Sequence, residues 1–136
     1  MKRFVLLTIM TLALSVGGLA STNAKGLTGT VSGTADQIGG GANHSYQVTM
    51  TLNGETGTID YPSLKCGGTV THIINSTYPS NVGSTFYREH ITYGNCIDDG
   101  IFSLQDLGDS WFWRWDKDTS SGHVEVDGKL YGTLKQ

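Results

Sequence analysis

Glu89 is the residue whose setting most invites chemistry. In the stretch Thr85–Tyr93, Tyr87, Glu89, Ile91 and Tyr93 alternate onto one face, and Phe86, Arg88, His90 and Thr92 onto the other. If the Tyr/Ile face points inward, a carboxylate lies in the interior, where it must be paired, hydrogen-bonded or protonated. Two roles stay open: Glu89 orients a ligand inside a barrel mouth, or it satisfies backbone N–H groups beside a disulfide loop, the commoner use. Trp111, Trp113 and Trp115 form a stripe at period two, with Phe112 and Arg114 opposite. Such rows bind sugars and flat apolar ligands, and they also fill cores, since each ring buries a large area. With Tyr87 and Tyr93, and Tyr46 as a further contributor, they make up the candidate binding set.

Other chemistries find weaker support. Folding Gly68–Asn75 back on Thr85–Tyr93 about Ser80-Asn81 places His72 and His90 roughly opposite, which is half a tetrahedral zinc site. His44 and His123 stand at no diagnostic spacing. Asp98-Asp99-Gly100 and Asp116-Lys117-Asp118 resemble fragments of calcium loops but lack the run of oxygen ligands and the closing glutamate. A hydrolase needs paired carboxylates or a nucleophile with its base; Glu89 with Asp60 or Asp98 is conceivable, but no spacing supports it. Gly-x-Ser-x-Gly, Walker and Rossmann motifs are missing. The expectation is a non-enzymatic protein with no metal and no cofactor. Asn43-His44-Ser45 and Asn75-Ser76-Thr77 match the glycosylation triplet, which matters only in a eukaryotic secretory pathway.

The elements that must position these residues read as strands, because apolar residues recur at period two rather than 3.6. Leu27–Ser32 is a short first strand, and 35–43, with three consecutive glycines, a loop. In 46–52, Tyr46, Val48, Met50 and Leu52 share a face opposite Gln47, Thr49 and Thr51, the mark of a sheet with one wet side. Asn53-Gly54 signals a type I′ hairpin returning through Thr56–Tyr61, where Pro62 ends the strand. Further strands span 68–75, 85–93, 100–107, 110–115 and 123–134, the last interrupted at Asp127-Gly128; 76–84 and 117–122 are polar connections. About eight short antiparallel strands in a single domain predict an all-β fold, an up-and-down barrel of lipocalin or avidin size or a two-sheet sandwich. The barrel is preferred, since closure removes edges that carry few blocking charges.

Residues 1–24 have the layout of a secretory signal peptide: Lys2 and Arg3, the apolar run Phe4–Val16, then small residues with Ala20 and Ala24 as cleavage positions. An uncleaved anchor is the alternative, although the run is short for a membrane span and no later stretch is apolar enough for one. Cleavage after Ala24 leaves one domain, 25–136, and removing the two basic residues takes the formal charge from −3 to −5. That balance argues against nucleic acid and anionic membranes. In a secreted or periplasmic protein, the two cysteines, Cys66 and Cys96, most simply form one disulfide; free thiols or an intermolecular bridge are the alternatives.

The segment Tyr61-Pro62-Ser63-Leu64-x-Cys66-x-Gly68, then Glu89 with Ile91, Gly94 and Cys96, an aromatic strand, and Gly132-x-Leu134 resembles a small bacterial extracytoplasmic β domain. Such domains occur as short secreted proteins and as outer domains of some bacterial serine/threonine kinases. The resemblance implies a Cys66–Cys96 bridge, an inward Glu89 and a binding or sensing role. The chain departs from the pattern where Leu27-Thr28-Gly29 replaces an opening tryptophan, and it carries no kinase segment. The functional expectation is a monomeric secreted module that binds a small molecule, glycan or cell-envelope component. The alternatives are a protein-interaction module or enzyme inhibitor acting through its loops, and a weak glycan hydrolase.

Overall fold

The computed structural model describes residues 25–38, 44–74 and 83–136. The expected signal peptide, most of the expected loops 35–43 and 76–84, and Asn75 at the end of the expected strand 68–75 lie outside the described residues. The rest is an all-β, closed, eight-stranded antiparallel barrel. Its strands are β1 (Thr28–Ile38), β2 (Ser45–Asn53), β3 (Thr56–Tyr61), β4 (Cys66–His72), β5 (Ser84–Tyr93), β6 (Ile101–Asp106), β7 (Trp111–Thr119) and β8 (Gly122–Lys135). Each pairs with its neighbour in sequence, and β1 closes on β8 from Thr28↔Lys135 to Ile38↔Glu125.

Period-two alternation drives this architecture: Tyr46, Val48, Met50 and Leu52 on β2 are all buried, as are Ile59 and Tyr61 on β3. The barrel is filled rather than hollow along most of its axis. Rings meet in sequence from one end to the other: Tyr46 on Tyr61 at 5.8 Å, Tyr61 on Trp113 at 6.3 Å, Trp113 on Phe102 at 6.1 Å, Phe102 stacked on Tyr87 at 5.4 Å, and Tyr87 on His72 at 5.4 Å.

Tyr87 seals one end. Its hydroxyl accepts from the Leu27 N–H at 2.7 Å and donates to the Gly54 carbonyl at 3.2 Å. His72, buried beside it, meets Glu55 Oε2 at 3.1 Å. The Cys66–Cys96 disulfide lies at the opposite end, with Cα atoms 6.0 Å apart.

Several elements differ from the sequence expectation. Residues 35–38 continue β1, because Ala35 keeps the inward alternation and Gln37 and Ile38 pair with Val126 and Glu125. β7 continues to Thr119, absorbing most of the expected 117–122 loop by pairing Lys117 with Val124 and Asp118 with His123. β8 runs unbroken through Asp127-Gly128, where Gly128 lies between Trp113 and Ala35. The β2–β3 hairpin turns at Gly54-Glu55, one residue later than expected; only Gly54 has positive φ, 69°, the sign pattern of a II′ rather than a I′ turn. His72 pairs with Tyr87 and His90 with Thr69, so the two histidines do not face each other.

Candidate functional site

The end of the barrel opposite Tyr87 holds a cavity of about 270 Å³. Each wall comes from strand termini. Tyr46 begins β2, Tyr61 ends β3, Glu89 lies near the end of β5, and Trp115 belongs to the second half of β7. Val124 and Val126 at the start of β8 and Gln37 at the end of β1 complete the ring. The rim is built by the segment that follows β3. Pro62 stops the ladder and begins a single 3-10 turn, Pro62–Leu64, closed by Lys65 in the left-handed region at φ 53°. Leu64 from this turn faces Asn95, Cys96 and Ile97 across the mouth, and the disulfide holds that second segment to the start of β4.

Glu89 is 1% exposed. Tyr61 donates its hydroxyl to Glu89 Oε2 at 2.5 Å, bridging β3 and β5 across the interior. Burial pushes the carboxyl up to about 7; Tyr61 and the Trp115 indole N–H work against that rise, and the Asp98 charge adds to it. The Trp115 Nε1 is itself buried without a hydrogen-bond partner of regular geometry. Its edge lies against the backbone of Gly100, where a Cβ would come within 2.1 Å of Nε1. Only glycine leaves room there for the indole, while the Gly100 carbonyl accepts the Glu89 N–H at 2.9 Å. The Tyr61 hydroxyl is raised well above its ordinary value by burial and then by the adjacent carboxylate, and Tyr46 likewise. Asp98 lies outside the barrel wall. Its carboxylate accepts from the Ile91 and Asp99 N–H groups and sits 3.3 Å from His90, and these contacts, the Ile91 N–H first, hold it below the usual range.

The structure thus brings Glu89, Trp115 and Tyr46 together at the cavity and sends Trp111, Trp113, Tyr87 and Tyr93 elsewhere. Trp113 is fully buried in mid-barrel, and Trp111, at the far end of β7, packs partly buried against the core. Tyr87 belongs to the sealed end. Tyr93 is corrected from the inner to the outer face. The β4–β5 register passes from Gly68↔Ile91 to Gly67↔Tyr93, leaving Thr92 as a bulge residue, so Tyr93 is 48% exposed and its hydroxyl bonds the outward Asp60. The sequence reading had Tyr46 as a contributor but gave Tyr61 no site role. Its inward phase with Ile59 was the available signal.

Among the described residues, no three His, Cys, Asp or Glu side chains group as a metal site. Glu89 is the one carboxylate among the described lining residues. No family model matches the chain, and neither curated proteins nor solved structures give a significant match.

Proposed function

We propose that this protein is a non-enzymatic binding module that receives a small molecule in the open end of its barrel, and that it works outside the cytoplasm, where its disulfide persists. One observation carries the reading. An otherwise filled barrel leaves a cavity of about 270 Å³ at the end where a buried carboxylate, two tyrosines and a tryptophan converge. Sites for small molecules are concave, mainly apolar and furnished with a few convergent polar groups, and they occur in the mouths of barrels. The volume lies just below the usual range of about 300–1,000 Å³ and suits a compact ligand or the head of a longer one. A single carboxylate gives a ligand an anchor, whereas a glycosidase employs a pair. The resemblance to bacterial extracytoplasmic domains agrees with this reading.

The test is a panel of amines, sugars, lipids and peptidoglycan fragments added to the oxidised protein, followed by tryptophan emission and melting temperature. Trp115 lines the cavity, so an occupant is expected to change its emission. A ligand at one hundred times its Kd stabilises the fold by about 2.7 kcal/mol, which raises Tm by several degrees. If the whole panel leaves both signals unchanged, the mouth is not a small-molecule site, and interaction through the protein surface becomes the better reading.

A further inference from the structure

The mouth contains a buried carboxylate that forms no ion pair among the described residues. Tyr61 is the one side chain among the described residues that hydrogen-bonds Glu89 with regular geometry. Among the described residues, no lysine, arginine or histidine lines the cavity. Around the carboxylate, β2 presents Tyr46, β3 Tyr61 and β7 Trp115, while β4 presents Val70 and β8 Val124 and Val126. The further charge that acts on it, Asp98 on the 94–100 segment, is also negative. Tyr46 and Tyr61 stand edge to face, with rings 84° apart. A buried carboxylate walled by aromatic rings attracts positive charge twice, through its own charge and through the negative ring faces. Leu64 and Ile97 give the mouth an apolar side, next to the polar Gln37 and Asn95.

We propose that the cavity takes a small organic cation: an ammonium head group seats against Glu89 among the rings of Tyr46, Tyr61 and Trp115, and its apolar body leaves past Leu64 and Ile97. This rests on the reading of the mouth as a ligand site and names the ligand class. The cation supplies a counter-charge to the carboxylate, and it binds the ionised form of Glu89. Binding therefore strengthens as pH rises through the range where Glu89 loses its proton, and weakens below it.

The experiment titrates the oxidised protein with choline and hexyltrimethylammonium, with dimethylbutanol, in which carbon replaces the ammonium nitrogen, and with dimethylpentanoate as the anionic counterpart. Calorimetry and tryptophan emission are read at about pH 8 and about pH 5.5, on either side of the Glu89 transition. At the higher pH the cations are expected to bind at least about tenfold more tightly than the uncharged isostere, with the ratio shrinking at the lower pH. Glu89→Gln should remove that preference, so that the cations bind the variant no more tightly than dimethylbutanol does. Should the variant fail to fold, the paired pH measurements on the unaltered protein still decide. Equal or tighter binding of the isostere or the anion overturns the cation assignment and leaves the binding reading standing. So does silence of the cations when a sugar or lipid from the wider panel binds. Silence of every compound overturns both.

Discussion

Glu89 and Tyr61 form the pair on which the mouth depends, and their bond has consequences away from any ligand. The folded-state value of Glu89, about 7, lies above its ordinary 4.5. A raised acid binds its proton more tightly in the folded chain, so the stability it lends is complete below about pH 4.5 and is lost as pH rises through about 7. The shift corresponds to about 3 kcal/mol. Other carboxylates move the opposite way. Asp99, held down first by Arg88, loses stabilising contacts as pH falls. The expected result is therefore a difference: stability of the native protein minus that of Glu89→Gln, from urea unfolding, declines by about 3 kcal/mol between about pH 4.5 and above about pH 7. A flat difference would place the carboxyl in water. Tyr61→Phe removes the donor while keeping the ring, and it should cost about 1–3 kcal/mol at alkaline pH, where the unaided carboxylate stays buried and charged. Below about pH 5, where the carboxyl is neutral, the cost should shrink. The burial of Glu89 was legible in the alternation of its strand. Its partner was not, because period two gives the face of Tyr61 but not which residue on a strand two places away lies at the same height.

The same distinction between face and height governs β7. Trp111, Trp113 and Trp115 share one side, as the alternation implies, yet a strand rises about 3.4 Å per residue. The first and last rings thus stand at different levels, one towards the sealed end, one at the mouth, and the middle ring plugs the barrel between them. Only Trp115 reaches the cavity. Tyr93 was illegible for another reason. A single bulge residue reverses the side of everything after it, and nothing in Ile91-Thr92-Tyr93 announces the bulge. The elements themselves were largely readable. They fell short mainly at their ends, where paired partners such as Lys117↔Val124 extend polar stretches that look like loops. The position of Trp115 depends on the chain opposite, and Gly100→Ala tests this. The new methyl would lie 2.1 Å from Nε1 and must push the indole aside. Overpacking of this kind should cost about 1–3 kcal/mol and shift the tryptophan emission. Unchanged unfolding and emission would mean that the ring yields freely and is not held as a cavity wall.

Closure decides how the whole molecule uses its disulfide. The two long strands β1 and β8 pair along their full overlap, so the barrel needs no covalent link to stay shut. The bridge instead joins the start of β4 to the segment after β5, across 30 residues, at the open end. It acts on the unfolded chain, by removing loop-closure entropy worth about 3–4 kcal/mol, and on the rim, by holding Asn95–Ile97 over the cavity. Replacing both cysteines with alanine should therefore lower stability by about 3 kcal/mol while leaving a folded barrel. It should also separate the two ends. Hydrogen exchange is expected to speed up most for amides of 94–97, which have the bridge as their main tether. Tyr87, Leu27 and Gly54 lock the sealed end without it, so their amides should follow only the global loss. Equal local loosening at both ends would mean that the bridge supports the entire barrel rather than its mouth. Loosening confined to 94–97, together with weaker binding of any mouth ligand, would mark the bridge as the part that shapes the cavity.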